Sequence, residues 1–377
     1  MDLDLSQEHE LLRNTVREFA TERVAPVADE LDRESRFPYE LVAEMAELGL
    51  MGIPIPEEYG GAGSDTLAYA IAIEELTRID SSVAITVAAH TSLGTMPIFL
   101  YGTDEQKSEW LPQLASGQKL AAFGLTEADA GSDAGATRTR AEERDGQWIV
   151  NGSKIFITNA GTDISACVTI TALTGEGEVS NVIVPNGTPG FTISPPMHKL
   201  GWHASDTREL SFKNVAVPEG NLLGERGRGF VQFLEILDGG RISVAAMGVG
   251  LAQGAYDLAF AYARERRQFG KPISSFQAVQ FKLADMATEI EAGRALVYRA
   301  TWLKDQGRPF ALAAAQAKLY TGELSNRVVN ASLQMHGGYG FMEESAIARL
   351  YRDQKVLEIG EGTNEVQRMV IAKHLGL

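Results

Sequence analysis

Apolar residues recur at three- and four-residue spacing through the opening part of the chain. Leu12, Val16 and Phe19 follow Ser6, which can cap a first helix, and a second helical pattern runs through Leu67–Ile79. Gly49, Gly52, Pro54 and Pro56 interrupt the period, and Gly60-Gly61-Ala62-Gly63 reads as a flexible turn. Thr103-Asp104-Glu105-Gln106 has the form of a capping box opening a further helix. From about Ala121 the texture changes. Asp145-Gly146 and Asn151-Gly152 are two-residue hairpin signals flanked by Thr, Val and Ile in partial alternation, and Val168–Thr171, Val182–Val184 and Phe191–Ile193 continue the strand pattern. From Phe230 onward long Ala- and Leu-rich helical segments return. Ala311–Leu319 is dominated by strong helix formers, and Val244–Ala263 sets Gly248, Gly250, Ala252 and Gly254 close together, which permits tight helix approach. The expected organisation is multidomain α+β: a helical N-terminal domain over 1–120, a β-sheet or barrel middle domain over 121–229, and a helical, four-helix-bundle-like C-terminal domain over 230–377.

Composition narrows the partners. The chain has 377 residues, with 34 Lys+Arg against 50 Asp+Glu and a formal charge of −16, and 44% of its residues are hydrophobic. That fraction supplies a sizeable core, while the acidic balance argues against nucleic-acid binding, which needs a surplus of cations. A polyanionic small molecule held by a few placed cations remains compatible. The longest uninterrupted apolar run is about nine residues, Val244–Ala252, short of the ~20 a membrane span needs. Met1-Asp2-Leu3-Asp4-Leu5 lacks a basic start and an apolar stretch, so the expectation is a soluble, cytoplasmic protein without a secretory signal.

Several chemistries find no support. Cys167 stands alone, so neither an internal disulfide nor a cysteine zinc site is expected, and the six histidines form no metal-binding spacing. There is no G-x-x-x-x-G-K-[ST] phosphate loop. Gly248-Val249-Gly250 is followed by Gln253 where a dinucleotide fingerprint needs Gly or Ala. His336-Gly337-Gly338 has the look of an oxyanion loop, yet no G-x-S-x-G nucleophile exists for it to serve.

Four clusters remain: Gly124-Leu125-Thr126-Glu127-Ala128-Asp129-Ala130-Gly131-Ser132-Asp133; Arg266-Arg267-Gln268-Phe269-Gly270; the run from Gln334 through His336-Gly337-Gly338-Tyr339-Gly340 to Glu344, Arg349 and Asp353; and Glu361-Gly362-Thr363-Asn364-Glu365. In this order, across a helix–β–helix chain, they resemble the acyl-CoA dehydrogenase family, and the resemblance spans essentially the whole chain. By themselves the residues allow plainer roles. The first cluster could be a capped surface turn offering backbone N–H groups, Arg266 part of a solvated charged face, Gln277 the end of a Ser274–Gln277 capping box, and Glu361 a loop carboxylate.

The resemblance implies more specific roles. Phe123, Leu125, Thr126 and Ser132 would line FAD, with Ser132 also reaching the CoA part of the substrate. Phe156-Ile157-Thr158-Asn159 resembles the flavin-flanking strand, with Phe156 and Thr158 at the cofactor and Phe156 where the family often has Trp. Arg266 would hold the FAD pyrophosphate through its planar fork. Gln277, Gln334, Gly337 and Gly338 would reach FAD, often across a subunit interface, and Thr363 and Glu365 belong to the same cofactor set. Glu361 would remove the α-proton of an acyl-CoA thioester while the β-hydrogen leaves as hydride to flavin N5, with its own N–H helping to hold the thioester oxygen. Its pKa should be raised by burial. Some members place the base just before the arginine corresponding to Arg241, in the helix expected to begin at Asp238; here that position is Gly240. Arg241 and Gly362 would lie near the substrate. Gly360 replaces an aromatic residue often found before the glutamate, which implies a looser pocket. Phe99 and Leu100 are candidates to close it.

The implied activity is α,β-dehydrogenation of a short- to medium-chain acyl-CoA to the trans-2-enoyl-CoA. Electrons would pass to an electron-transferring flavoprotein, in a homotetramer built as a dimer of dimers, with no metal, nucleic acid or membrane involved. Two alternatives stay open. One is a flavin oxidase of the same fold acting on an acyl-CoA or a nitroalkane; the nitroalkane branch typically uses Asp, against Glu361. The other is a non-catalytic binding relative, which the charge of −16 and the retained glutamate disfavour.

Overall fold

A computed structural model describes residues 4–377, so the Met1–Leu3 start of the expected signal-free N-terminus lies outside the described residues. The N-terminal helices are α1 (Gln7–Phe19), α2 (Ala28–Glu34), α3 (Tyr39–Glu47), α4 (Thr66–Ile79), α5 (Ser81–Ala89), α6 (Met96–Tyr101) and α7 (Asp104–Ala115). Ser6 caps α1 by accepting from the His9 N–H, and Thr103 and Gln106 form the expected reciprocal capping box on α7. Two helices absent from the sequence reading, α2 and α3, occupy the stretch before the Gly- and Pro-broken segment.

The strands are β1 (Leu120–Gly124), β2 (Arg140–Arg144), β3 (Gln147–Thr158), β4 (Ser165–Gly175), β5 (Glu178–Pro185), β6 (Phe191–Ile193), β7 (Thr207–Pro218) and β8 (Leu222–Leu223). They form one eight-stranded sheet in the order β6-β7-β3-β2-β4-β5-β8, with β1 parallel to β4. Its core is built by Trp148, Val150, Val168, Ile170, Val182 and Phe212. Asp145 and Gly146 both take positive φ (51° and 75°), and Arg144 pairs Gln147 across the turn, as the hairpin signal predicts. Asn151-Gly152 is not a hairpin. It lies inside β3, where the register against β7 shifts between Val150 and Gly152. Because strands on both sides pair through this point, the two residues make a bulge rather than a reversal. Gly152 is required there: its φ is 146°, and a Cβ would stand 2.5 Å from Thr139 Oγ1.

The C-terminal helices are α8 (Gly229–Glu265), α9 (Gln277–Asp305), α10 (Ala311–His336), α11 (Ala346–Asp353) and α12 (Asn364–His374); a short hairpin of β9 (Arg267–Gln268) and β10 (Lys271–Pro272) separates α8 from α9. Two sequence expectations change here. Helix α8 starts at Gly229, not at Asp238, so Arg241 sits well inside it and is buried, not a helix-start cation. The Ser274–Gln277 capping box does not form, because Ile273–Ser275 makes a 3-10 turn and Phe276 stands at the N-cap without a side-chain bond.

The N- and C-terminal helices share one apolar core, in which α8 packs on α4, α9 and α10. The glycines of α8 make this possible. A Cβ on Gly250 would lie 2.3 Å from the Glu74 carbonyl oxygen of α4, and one on Gly254 2.0 Å from that of Arg78. These are backbone atoms that cannot step aside. Gly254→Ala is therefore expected to lower stability by about 1–3 kcal/mol, seen as a reduced thermal midpoint. Gly220→Ala, with nothing within 4 Å of its Cβ, should leave the midpoint unchanged. Residues 81–101 and 229–265 are long and apolar enough to cross a bilayer by length and composition, but most of each stretch is buried in this core.

A buried joint ties the three layers together. Asp353 of α11 accepts from Ser81 Oγ at the start of α5 (2.7 Å) and from the Trp202 N–H in the loop before β7 (2.7 Å). Burial, with Asp80 nearby, pushes its carboxyl up to about 6.

Candidate active site

Between α11 and α12 the chain makes a tight turn at Glu361-Gly362, both in the left-handed region (φ 52° and 88°). A non-glycine residue there costs roughly 1–2 kcal/mol, so the surroundings must impose it. Gln367 Nε2 donates to the carbonyls of Gly362 (2.9 Å) and Glu361 (3.3 Å), and Lys318 Nζ donates to the Gly362 carbonyl at 2.8 Å. Thr363 then caps α12 by accepting from the Val366 N–H at 3.3 Å.

The turn aims the Glu361 side chain at α8. A Cβ on Gly240 would stand 2.1 Å from Glu361 Oε2, so the glycine is the space in which the carboxyl lies. Oε2 is sealed from solvent and has no hydrogen-bond partner among the described residues, although the residue as a whole is only half-buried. Burial raises this carboxyl to about 7, while the positive charges of Lys318 and Arg241 pull the other way. Arg241 is buried and paired with Asp238 one turn earlier.

Beside this contact is a cavity of about 370 Å³. Gly239, the neighbour of Gly240, forms part of its wall, with Tyr69, Leu100 and Ile236. Tyr69 lies near enough to feel the Glu361 charge, and its hydroxyl donates to the Ala88 carbonyl at 2.9 Å. One part of the wall is polar: Tyr101 donates to Glu235, and Lys304 lines the cavity without an ion pair among the described residues. Of the two residues expected to close the pocket, Leu100 lines it. Phe99 does not: it packs edge-on against Tyr59 in a separate cluster.

The expected site residues fall into two groups. The inner group adjoins Glu361 and the cavity. Glu361, Gly362, Thr363 and Arg241 meet around the turn, whereas Glu365 points to solvent. Phe123 and Leu125 pack with Phe233, Ile236 and Tyr101, joining the end of β1 to the cavity wall. The loop after β1 is clamped from beneath: Lys154 Nζ, fully buried, bonds the Leu125 carbonyl (3.0 Å) and Glu127 (2.7 Å), and the Ile155 N–H donates to the Thr126 carbonyl at 2.9 Å. The hydroxyls of Thr126, Ser132 and Thr158 have no protein partner among the described residues. Phe156 leaves 61% of its surface exposed at a strained φ of 63°.

The outer group lies along an edge of the C-terminal helices. The Arg266 guanidinium sits 5.6 Å from the Tyr339 ring centroid, next to exposed Gly337 and Gly338, whose Cβ positions meet nothing within 4 Å. Gln334 is exposed on the last turn of α10, and Gln277 is exposed as the first residue of α9. No hydrogen bond, ion pair or ring contact among the described residues joins this group to the Glu361 turn.

Sequence reasoning missed Lys318, Gln367, Lys154 and Tyr69. Lys318 carried a readable signal: it is a lone cation on a face shared at helical spacing with Ala314, Thr321 and Ser325, all of them buried. The three others depend on long-range packing that leaves no local mark.

The descriptions "Acyl-CoA dehydrogenase, N-terminal domain", "middle domain" and "C-terminal domain" match residues 6–118, 122–215 and 227–376. A probable acyl-CoA dehydrogenase of Bacillus subtilis is 50% identical over 100% of both chains. The structure of butyryl-CoA dehydrogenase from Megasphaera elsdenii superposes with a TM-score of 0.97 at 43% identity, covering 100% of both chains. An acyl-CoA dehydrogenase from Bacillus anthracis complexed with FAD gives 0.93 at 35% identity over 99% of this chain and 67% of that one.

Proposed function

Because the chain belongs to the acyl-CoA dehydrogenase family, we propose that it is an FAD-dependent enzyme that desaturates a short- to medium-chain acyl-CoA between its α and β carbons, with Glu361 as the base. One observation carries the reading: a carboxyl whose Oε2 is sealed from water, without a hydrogen-bond partner among the described residues, seated on a glycine beside a cavity of about 370 Å³. A carboxyl raised to about 7 in this way is matched to accepting a proton near neutral pH.

The residues present fit FAD. The unpartnered hydroxyls of Thr126 and Thr158 and the exposed ring of Phe156 suit a flavin. The Arg266 guanidinium has no carboxylate partner among the described residues, and the open Gly337-Gly338 backbone allows close approach by a pyrophosphate. The chemistry FAD supplies when bound is two-electron oxidation, taking up the β-hydrogen with its electron pair. The chain does the rest. Glu361 removes the α-proton, and its own N–H, without an acceptor among the described residues, is left to hold the thioester oxygen; a donor of this kind is worth about 3–4 kcal/mol. Arg241 and Lys318 favour the ionised carboxyl against the pull of burial. Electrons then leave to an electron-transferring flavoprotein.

The outer group supports an oligomer, a homotetramer assembled as paired dimers. It is flanked by exposed Phe269 (92%), Phe281 (58%) and Phe341 (80%), an apolar surface that a second copy would cover. The polar part of the cavity supports the short end of the substrate range, since extra methylenes would have to displace water from Lys304 and the Tyr101–Glu235 pair without replacing its hydrogen bonds. Gly360 leaves room on the thioester side: a Cβ there would meet only Val356 within 4 Å.

The test is anaerobic reduction of the FAD-loaded enzyme by a series of saturated acyl-CoAs. Efficiency should peak at butyryl or hexanoyl and fall about tenfold or more by dodecanoyl. The rate should rise with pH through about 7 as Glu361 loses its proton. A flat chain-length profile would contradict the assigned cavity, and peroxide formation matching turnover in air would replace the dehydrogenase reading with an oxidase.

A further inference from the structure

Lys318 stands in the third turn of α10 with its side chain wholly buried. A buried ammonium is costly unless something nearby requires its charge. Its two hydrogen bonds go to neutral acceptors, the Gly362 carbonyl at 2.8 Å and Asn364 Oδ1 at 3.3 Å, and among the described residues it makes no ion pair. It shares that carbonyl with the neutral amide of Gln367, which reaches the same oxygen at 2.9 Å. What Gln367 does not supply is positive charge. The fold also brings α10 deliberately close to the turn. Gly322, one turn beyond Lys318, lets the Leu357 carbonyl and Asn364 approach to 3.1 and 3.3 Å of where its Cβ would be.

The groups coupled electrostatically to the Glu361 carboxyl come from three helices: Lys318 of α10, Arg241 of α8 and Tyr69 of α4. Arg241 is shared with Asp238 on its own helix, which offsets part of its charge. Lys318 has no such competitor in contact; Glu358 and Glu365 act on it only at longer range.

We propose that Lys318 is a positioning residue for the base: its ammonium clamps the Gly362 carbonyl to fix the Glu361 turn, and its charge keeps the Glu361 carboxylate available at neutral pH. The two groups are coupled electrostatically. Burial drives the Glu361 carboxyl up and the Lys318 ammonium down, each charge opposes the shift of the other, and on balance the ammonium lies at about 8. The inference rests on Glu361 being the base, and the experiment separates the two claims.

The experiment compares the parent, Lys318→Met, Lys318→Arg and Glu361→Gln, all FAD-loaded, by stopped-flow reduction with butyryl-CoA from pH 6 to 9. Removing the cation raises the pKa of the carboxylate, so Lys318→Met should move the midpoint of the rate profile up by about one pH unit or more and slow reduction at pH 7 about fivefold or more, with KM little changed. Lys318→Arg, which keeps the charge, should restore the midpoint even where its longer side chain slows the rate. An unshifted midpoint in Lys318→Met, alongside an inactive Glu361→Gln, would make Lys318 merely structural and overturn the inference while leaving the base in place. Parent-like reduction by Glu361→Gln would overturn the base itself. Should Lys318→Met fail to fold or to retain FAD, Lys318→Arg decides alone: a parental midpoint upholds the charge role, and a raised one refutes it.

Discussion

Glu361→Gln is expected to yield a folded, FAD-loaded protein whose reduction by butyryl-CoA is slowed by about 10³–10⁴, near the upper end of what a positioned general base contributes. Gln keeps the shape of the side chain, so it still fits the space over Gly240, and the turn stays held by Lys318 and Gln367 through backbone carbonyls that the substitution does not touch. Stability should hold or improve. At neutral pH the parent keeps a partly ionised carboxyl whose sealed Oε2 has no hydrogen-bond partner among the described residues, and the amide removes that charge. The sign follows from the raised pKa. A carboxyl shifted up to about 7 in the folded state gives stability that is fully present below its unfolded value and is lost as pH rises through about 7. The variant should therefore gain on the parent in thermal midpoint as pH increases. Stopped-flow absorbance and thermal melts on one preparation check both halves. Rapid reduction by the variant would mean that another group takes the α-proton.

Gly240→Ala should separate activity from stability in a second way. Its Cβ would fall 2.1 Å from Glu361 Oε2, and that atom is the far end of a flexible side chain rather than backbone, so the carboxyl moves and the helix does not. Inside a helix, alanine is favoured over glycine by about 0.5–1 kcal/mol, and the thermal midpoint should stay level or rise. The base, however, is pushed from its place by an ångström or more, and misplacement of that size can cost about 10²-fold. The expected result is thus a protein of parental or greater stability with roughly a hundredth of the parental reduction rate. A fully active Gly240→Ala would show that the carboxyl position over α8 is not the productive one. The same geometry explains why the position before Arg241 and position 361 do not both carry a carboxylate: one side chain occupies the volume that the other would need.

How much of this could be read from the sequence depended on whether the signal was local. Ser6, the Thr103–Gln106 box and the Asp145-Gly146 turn behave as read, because each is decided within a few residues. Asn151-Gly152 carries the same hairpin chemistry but becomes a bulge, because pairing with β7 some sixty residues later is what decides it. The glycines at 239 and 240 gave no useful helix boundary. They lie within α8, one lining the cavity and the other making room for a carboxyl from more than a hundred residues downstream. Phe99 and Leu100 are adjacent on α6, and only the packing against Tyr59 shows which of them faces the cavity.

The candidate site was legible to the same extent. Glu361 stands out between glycines, and its left-handed conformation gives Gly362 a physical reason. What holds it, Lys318 and Gln367, lies on two other helices and left no local pattern except a lone lysine on an alanine-rich face. The outer set of Arg266, Gln277, Gln334, Gly337 and Gly338 was named by resemblance, and in a single chain it forms an exposed edge rather than part of the pocket. In the proposed oligomer, a second copy would complete the cofactor site along this edge.

The measurement that bears most directly on the whole account is a single anaerobic titration of the FAD-loaded parent with butyryl-CoA at pH 8. The yellow oxidised-flavin absorbance is expected to bleach within the mixing and observation time, with crotonyl-CoA as the product. An FAD-loaded protein that stays yellow with every short- and medium-chain acyl-CoA supplied would contradict it.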